Sequence, residues 1–389
     1  MPYPVLLQKQ DQSGRNVGYD PGTYIMGADL SYVNQVLDHG GTYRDSGRVE
    51  NPYRIFREHG TNTVRLRLWH DPEWVRTEAY ETQDKPLYSG LHDVTESIRR
   101  TKEQGMMVVL DFHYSDIWAD PNEQRVPEAW QDITSLKTLV DSVYQYTRRT
   151  LYHLAEQDLL PEMVQVGNEI NCGMLYSDVP PSFPDLEVCK EDSWYPLGRV
   201  INSGIRAVRE VSGRTGKKIK IILHVAQPEN VDRWFRMVTN KGEVRDFDIL
   251  GFSYYPKWST VTVDQIDQFV TDFRNSYNRE VMIMETAYAW TLNNADQYGN
   301  ILGNESLLEP YSATPAGQRQ FMTDLTSKVI AGGGTGIFYW EPAWISSGMK
   351  DLWGEGSSWE NSTFFDFDGN LHEGIDYMTY PYDFPEQLR

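Results

Sequence analysis

Two carboxylates in this sequence stand where a buried strand would end. Glu169 follows the apolar run at residues 163–166 and the amide of Asn168, and Glu285 follows the apolar run at residues 281–284. Charged and amide groups bury poorly, so they belong at an open strand end. Two carboxylates facing each other are the minimum equipment for glycoside hydrolysis. A separation of about 5–5.5 Å would indicate a retaining reaction, and about 6.5–9.5 Å an inverting one.

These residues need a scaffold that brings several strand ends together. Apolar or alternating runs predict strands at residues 24–30, 63–69, 106–114, 163–170, 219–226, 248–256, 281–288 and 336–341. Helical spacing predicts helices at residues 52–59, 91–103, 136–154, 197–208 and 314–334. Strands alternating with helices predict an α/β fold with a single (β/α)₈ barrel over residues 1–389. An irregular lead-in (1–23) and a C-terminal extension (371–389) complete the chain. A doubly wound sheet is the alternative, but no Gly-rich first turn appears.

In a barrel, the carboxyl ends of all strands meet at one mouth. The residues predicted at those ends are Asp29, His113, Glu169, His224, Tyr255, Glu285 and Trp340. Arg65 alternates with Arg67 and Trp69, so all three face one side of their strand, which we expect to be the barrel centre. Beside Glu285, the Arg65 charge would depress the pKa of that carboxyl and keep it ionised.

Other candidates have a structural interpretation as well as a functional one. Asn168 could cap a turn, but we favour a hydrogen bond to a sugar 2-hydroxyl. Asp29, His113 and His224 are candidates for substrate binding, although a lone histidine at a strand end is often only structural. The 12 Trp and 24 Tyr residues suit both core packing and sugar stacking. We expect the remaining substrate contacts among Asp116, Trp118, Trp290 and Trp340, with Trp69 and Trp344 as further groove candidates.

Charge and cysteine content exclude several classes of function. The net charge of -20 argues against nucleic acid or an anionic membrane surface as partner. No cysteine or histidine spacing suggests zinc, and no apolar run is long enough to span a bilayer. Cys172 and Cys189 lie in one predicted loop, where a disulfide is possible but not required. The first residues lack a signal-peptide pattern, so the compartment is not read directly from them.

Several short stretches together resemble glycoside hydrolase family 53, the arabinogalactan endo-β-1,4-galactanases of clan A. They are GADLS (27–31), DFHYSD (111–116), WADP (118–121), VGNE (166–169), GFSYYP (251–256), ETAY (285–288), SWEN (358–361) and DFDGN (366–370). The resemblance implies retaining hydrolysis of β-1,4-galactan to galacto-oligosaccharides, with Glu169 as acid/base and Glu285 as nucleophile. It also implies that Asn168, Arg65 and Tyr255 bind the sugar or hold the nucleophile.

The same resemblance implies a structural calcium ion in the loop after the seventh strand, and no cofactor for catalysis. Residues 294–300 carry oxygen-bearing side chains at alternate positions, as a calcium loop requires. The expected ligands are Asp296, Asn300, Asn294 and the Tyr298 carbonyl; the alternative is a polar turn without metal. We further expect a monomer that acts outside the cell, at the cell surface or in the periplasm.

Two other functions stay open. Another clan A activity, such as a β-mannanase or cellulase, would use the same residues and is separated by substrate screening. A non-catalytic carbohydrate-binding barrel would keep the aromatic groove but lose one carboxylate. The presence of both Glu169 and Glu285 argues against that second alternative.

Overall fold

Eight parallel strands, paired in sequential order, close into a barrel. The computed structural model describes residues 24–177 and 182–384. The barrel strands are β1 Ile25–Asp29, β2 Thr63–Leu68, β3 Met107–Phe112, β4 Met163–Val166, β5 Lys220–Ala226, β6 Ile249–Ser253, β7 Glu280–Glu285 and β8 Gly336–Tyr339. Because β1 pairs with both β2 and β8, the predicted (β/α)₈ barrel is confirmed and the doubly wound sheet is wrong.

The helices lie between the strands. They are α1 Val33–Asp38, α2 Pro52–Glu58, α3 Leu91–Glu103, α4 Leu136–Ala155, α5 Trp194–Thr215, α6 Pro228–Asn240, α7 Ile266–Tyr277 and α8 Pro315–Ala331. The predicted start of α8 is confirmed, because the Thr314 side chain accepts a hydrogen bond from the Gly317 backbone N–H, with Pro315 as first helical residue. The sequence patterns do not single out α1, α6 or α7.

The lower half of the barrel is filled by apolar side chains from alternate strand positions. They form one buried cluster: Ile25, Met107, Val109, Met163, Ile222, Ile249, Met282, Met284 and Phe338. Gly27 leaves room for this filling, because a Cβ atom there would lie 2.1 Å from the Phe338 ring. The interior is therefore a packed core rather than a pore.

Segments outside the barrel strands and helices are tied to the barrel. The predicted lead-in, residues 1–23, lies outside the described residues. The predicted C-terminal extension packs on α8 through the 3₁₀ segment Glu373–Thr379, where Ile375 and Tyr377 are fully buried. Cys172 and Cys189 form a disulfide in the loop between β4 and α5, with Cα atoms 4.9 Å apart. None of the helices within residues 24–177 and 182–384 has the length and the hydropathy needed to cross a membrane.

Candidate active site

The carboxyl ends of the strands open into a cavity of about 680 Å³. Most of the residues predicted at this mouth line it: Asp29, Arg65, His113, Trp118, Asn168, Glu169, Tyr255, Glu285 and Trp340. They come from strands distributed around the whole barrel, and only closure of the sheet brings them together. The prediction that strand-end polar residues share one site therefore holds for this group.

The two predicted catalytic carboxylates face each other in this cavity. One side-chain oxygen of Glu169 and one of Glu285 lie within 4.8 Å of each other. The two residues are 8% and 6% exposed. Glu169 also has a left-handed backbone, with φ of 45°, an unfavourable conformation that clusters at functional sites. The short separation is typical of retaining enzymes, in which one carboxylate attacks the sugar directly.

Glu285 lies in an ionic environment. Its Oε1 is 2.9 Å from an Arg65 guanidinium nitrogen, and its Oε2 accepts a hydrogen bond of 3.1 Å from the Tyr255 hydroxyl. The same guanidinium, which is 1% exposed, also pairs with Asp29 at 3.0 Å and with Asp111 at 2.7 Å. The forked geometry of arginine makes this triple pairing possible, since its donors point in fixed, different directions.

The pKa of Glu285 differs from the sequence prediction. Burial raises this pKa to about 7, although the Arg65 charge lowers it. The predicted depressed pKa is therefore wrong. The main physical reason is burial of the Glu285 carboxyl; the negative charges of Asp29 and Asp111, with which Glu285 shares Arg65, raise this pKa further.

Glu169 lies in a neutral hydrogen-bonding environment. Its Oε1 is 2.5 Å from the hydroxyl oxygen of Ser253, at the end of β6. Burial, and then the neighbouring Glu285, raise the pKa of Glu169 well above its usual range, as predicted. Because Glu285 has the adjacent guanidinium and Glu169 does not, Glu285 ionises first and Glu169 keeps its proton to higher pH.

Asn168 is held in one orientation beside these carboxylates. Its Oδ1 accepts a hydrogen bond of 2.7 Å from Arg65, and its Nδ2 donates one of 2.7 Å to the Ala119 carbonyl. The second N–H of this amide has no protein acceptor within residues 24–177 and 182–384. Because Asn168 lines the cavity, that N–H is available to a ligand, which supports the favoured interpretation of Asn168 as a sugar contact.

Neighbouring donors fix the protonation of His113. Its Nδ1 faces two N–H donors, the Trp69 indole at 3.3 Å and the Ala119 backbone at 3.1 Å. Nδ1 must therefore accept, and the proton lies on Nε2, which is 3.2 Å from Asp111. Burial lowers the pKa of His113, so the ring is neutral. Trp69 is fully buried and supports His113 from behind rather than lining the groove.

The floor of the cavity is aromatic. The Arg67 guanidinium carbon lies 4.1 Å from the Trp118 ring centroid, and Trp118 lies 5.8 Å from Trp340. Arg67 also pairs with Glu341 at 3.0 Å. A cation held beneath an indole fixes the ring, and the opposite face of such a ring is the surface on which a sugar stacks.

Three residues predicted to contact substrate lie outside the cavity, which corrects the sequence prediction. His224 is fully buried behind Asn168 and Ser253. Asp116 anchors loops, accepting hydrogen bonds from the backbone N–H groups of residues 71 and 128. Trp290 packs its ring on the side chains of residues 367 and 372. Each satisfies a structural requirement that a strand-end or loop position alone does not reveal.

Sequence reasoning also missed residues that line the cavity. Most come from irregular loops, where no periodicity gives a signal: Asp120, Asn122, Asn171, Gln227, Asn230, Trp258, Asp351, Trp353 and Trp359. Trp258 and Trp353 are 48% and 55% exposed. Large exposed indoles are unusual on a soluble surface and indicate binding.

The predicted calcium loop is held by hydrogen bonds around Asp296. Its carboxylate accepts from the Tyr298 backbone at 2.8 Å, from the Ser346 hydroxyl at 2.5 Å and from the Ser357 backbone at 2.9 Å. Both oxygens are therefore occupied by protein donors. This clamp joins the loop after β7 to the loop after β8, and the assignment of Asp296 as a calcium ligand stays a prediction.

Oxygens of Asn294 and Asn300 in this loop, and of Glu360 in the segment after β8, also fit a hard cation. The side chains of Asn294 and Asn300 contact each other. Glu360, which accepts from the Ala295 backbone through Oε1, has a buried Oε2 without a hydrogen-bond partner among the described residues. A carboxylate oxygen and amide oxygens are calcium ligands. The residues present therefore fit a cation, with Glu360 as the acidic member that the sequence did not indicate.

Comparison with known proteins gives consistent matches. The model for the family described as Glycosyl hydrolase family 53 matches residues 25–378. The chain is 44% identical to an arabinogalactan endo-beta-1,4-galactanase of Cellvibrio japonicus, over 90% of this chain and 89% of that protein. It is 32% identical to an endo-beta-1,4-galactanase of Bacillus subtilis, over 89% of this chain and 78% of that protein.

Solved structures agree. The Ignisphaera aggregans GH53 catalytic domain superposes with a TM-score of 0.81 at 32% identity, covering 95% of this chain and 99% of that one. A structure of fungal beta-1,4-galactanases gives a TM-score of 0.74 at 27% identity and covers 91% of this chain and 98% of that one. Xylanase B of Clostridium stercorarium gives a TM-score of 0.54 at 16% identity and covers 92% of this chain and 97% of that one. At this identity the likeness shows the fold alone.

Proposed function

The chain belongs to glycosyl hydrolase family 53, and we propose that this glycoside hydrolase cleaves internal bonds of β-1,4-galactan by a retaining double displacement. The observation that carries the mechanism is the pair of carboxylate oxygens, one from Glu169 and one from Glu285, within 4.8 Å of each other. That separation leaves room for an anomeric carbon but not for an additional water between carboxylate and sugar.

In the first step, Glu285 attacks the anomeric carbon. The glycosidic C–O bond breaks as Glu169 gives its proton to the leaving oxygen. The environments support these roles, because Arg65 and Tyr255 both bind the Glu285 carboxylate. The product of this step is a galactosyl ester of Glu285 and a free chain end.

In the second step, Glu169 is ionised and acts as the base. It removes a proton from water, whose oxygen attacks the anomeric carbon and releases Glu285. Two displacements at one carbon restore its configuration, so the product keeps the β configuration. We assign the second N–H of Asn168, which has no acceptor among the described residues, to the sugar 2-hydroxyl, in a hydrogen bond that strengthens in the transition state.

The substrate is proposed from the relatives, because the proteins from Cellvibrio japonicus and Bacillus subtilis are galactanases by name. The shape of the site supports action within a chain. Trp118 and Trp340 form the floor, while Trp258 and Trp353 stand exposed at the rim. Aromatic surfaces beyond the catalytic pair would bind sugar units on either side of the cleaved bond.

The substrate proposal is tested by hydrolysis of soluble β-1,4-galactan, with β-mannan and a soluble β-1,4-glucan as matched substrates and product sizing by chromatography. We expect galacto-oligosaccharides from the first minutes, and no turnover of the other two polymers. Comparable turnover of mannan or glucan would contradict galactan specificity. Release of galactose alone would contradict internal cleavage.

We further propose that the protein acts outside the cytoplasm, as a monomer. The disulfide between Cys172 and Cys189 supports an oxidising compartment, and a polymeric substrate is met outside the cell. All the groups used in the two steps come from one chain, which supports a monomer. Light scattering of the purified protein tests this, and a stable dimer would contradict it.

We also propose one structural calcium ion in the loop at residues 294–300, with Glu360, Asn294 and Asn300 as the side chains that would hold it. An ion that binds only the folded state must raise the melting temperature. We expect a higher melting temperature in excess calcium than in EGTA, and no difference for Glu360→Gln. Identical melting curves of the unaltered protein in both conditions would contradict the site.

A further inference from the structure

The acid side of the site contains two buried polar residues that the two steps above do not use. Ser253 and His224 are both fully buried. The Ser253 hydroxyl oxygen lies 2.5 Å from Glu169 Oε1 and 2.9 Å from His224 Nε2. Burying polar groups costs free energy unless they are hydrogen-bonded. A buried hydroxyl shared between the acid/base and an imidazole therefore calls for a functional explanation.

The neighbours of His224 determine where its proton lies. Its Nδ1 is 3.0 Å from Asn168 Oδ1, which is the amide oxygen because Arg65 donates to it. An oxygen of this kind only accepts, so Nδ1 carries the proton. Gln165 Nε2 is also 3.2 Å from Nδ1, but it has a closer acceptor in Asp111 at 2.7 Å.

The other ring nitrogen is then an acceptor. Burial, with the positive charge of Arg65 in second place, lowers the pKa of His224 well below its usual range. The imidazole is therefore neutral, and Nε2 carries a lone pair directed at Ser253. The hydroxyl of Ser253 has one proton and two acceptors for it, Nε2 of His224 and Oε1 of Glu169.

We propose that Ser253 is a positioning residue whose hydroxyl turns between His224 and Glu169 as the acid/base loses and regains its proton. This role rests on the double displacement proposed above. While Glu169 is ionised, the hydroxyl donates to Oε1 and stabilises the charge. While Glu169 is protonated and no substrate is bound, Ser253 accepts the carboxyl proton and donates to His224 Nε2. Every donor in the chain Glu169–Ser253–His224–Asn168 then faces an acceptor.

The Ser253 hydroxyl shifts the protonation equilibrium of Glu169 toward the ionised form. A hydrogen bond to a charged acceptor is stronger than one to a neutral acceptor, so Ser253 favours Glu169 as a carboxylate. The ionised form is the one that must remove a proton from water in the second step. Because Oε1 is engaged by Ser253, Oε2 is the oxygen left to serve the substrate and the water.

Other ionisable groups also lie around Glu169, on five other barrel strands or directly after them. They are Arg65 on β2, Asp120 after β3, His224 on β5, Tyr255 after β6 and Glu285 on β7. Substituting Ser253 changes none of these charges. A shift in the pH profile of such a variant therefore reports the loss of this one hydroxyl.

The test compares Ser253→Ala with Ser203→Ala. Ser203 is a buried serine on α5, and among the described residues its hydroxyl bonds only the Val200 carbonyl of its own helix. In Ser253→Ala the basic limb of kcat/KM should move about one to two pH units upward, because Glu169 loses a stabiliser of its charge. With an aryl galactoside that needs no acid, kcat should fall about tenfold or more because the second step is slowed. Azide, which needs no base, should restore that kcat.

A second variant, His224→Phe, should shift the basic limb of the pH profile in the opposite direction. His224→Phe removes the alternative acceptor, so the protonated form of Glu169 loses support and the basic limb should move downward. Ser203→Ala should match the wild type. A Ser253→Ala protein that loses activity equally at all pH values, with an unmoved basic limb and no response to azide, overturns the proposal. Failure of the underlying mechanism is distinguishable, because then azide would also fail to rescue Glu169→Ala.

Discussion

The two carboxylates proposed as catalytic, Glu169 and Glu285, are similarly buried but lie in contrasting environments. Glu285 is bound by a guanidinium, that of Arg65, at 2.9 Å. Glu169 is bound by the neutral hydroxyl of Ser253, with neutral His224 behind it. The contrast shows how one residue type performs two tasks: the cation accompanies the carboxylate that must stay charged, and the hydroxyl accompanies the one that must exchange a proton.

The largest effect should follow from removing the carboxylate on the ionic side. Glu285→Ala should lose about 10⁴-fold or more in kcat on every substrate, because no covalent intermediate forms. Added azide should attack from the vacated side and return activity, with a glycosyl azide of inverted configuration. Rate assays with an aryl galactoside and NMR of the azide product measure both results. Rescue with retained configuration would reverse the assignment of the two residues.

Removing the carboxylate on the neutral side should cost less and depend on the substrate. Glu169→Ala should lose about 10²–10⁴-fold on galactan, which needs a proton on its leaving oxygen. An aryl galactoside with an acidic leaving group should lose much less in kcat/KM, since its first step needs no proton. Azide should rescue the second step with retained configuration. Equal losses on both substrates would contradict an acid/base role for Glu169.

Weakening the ion pair between Arg65 and Glu285 should move the acidic limb of the pH profile. The pKa of Glu285 is raised to about 7 by burial and is lowered by Arg65. In Arg65→Lys a single ammonium cannot pair with three carboxylates, so this pKa should rise and the acidic limb of kcat/KM should move upward. A loss of about 10- to 100-fold at pH 7 is expected.

Arg67→Lys is the matched control for this prediction. Arg67 also lines the cavity, but its carboxylate partner is Glu341, at the end of β8. We expect reduced activity, because loss of the Arg67 guanidinium disturbs the Trp118 ring at the cavity floor. The acidic limb of the kcat/KM profile should stay at its wild-type pH. An acidic limb that moves equally in both variants would show that Arg65 has no specific effect on Glu285.

The smallest effect concerns stability. The pKa of Glu285 rises from its usual 4.5 to about 7 on folding, so the folded state binds more protons than the unfolded state between these values. The stability contributed by this proton is fully present below pH 4.5 and is lost as pH rises to about 7. The glutamine in Glu285→Gln cannot ionise. The free energy of unfolding of this variant, relative to that of the wild type, should therefore increase between pH 4.5 and about 7, by on the order of 1–3 kcal/mol. Urea unfolding at several pH values measures the difference, and a constant difference would contradict the raised pKa.

Much of the fold and the catalytic pair could be predicted from the sequence. Buried parallel strands read as continuous apolar runs, and a charged residue that interrupts such a run marks its open end, as at Glu169 and Glu285. The alternation of Arg65 and Arg67 along β2 placed both at the barrel centre, where they line the cavity. Such local patterns suffice when the strand itself determines where a side chain points.

The remainder depends on contacts between distant segments. His113 and His224 are both strand-end histidines, but one lines the cavity and the other lies behind it. Asp116 and Trp290 lie in loops, whose paths follow no periodicity. The pKa of Glu285 is the sum of large opposing effects from burial, Arg65 and two further carboxylates. No pattern along the chain contains the distances that decide such a sum.

We propose that Glu285, the carboxylate paired with Arg65, is the nucleophile, and this proposal decides the mechanism. It is tested most directly by trapping the covalent intermediate with a 2-deoxy-2-fluoro galactobioside that carries a dinitrophenyl leaving group, followed by peptide mapping by mass spectrometry. We expect one adduct, on Glu285, together with loss of activity that reverses when galactan oligosaccharides are added as acceptors. An adduct on Glu169, or no adduct together with hydrolysis products of inverted configuration, would contradict it.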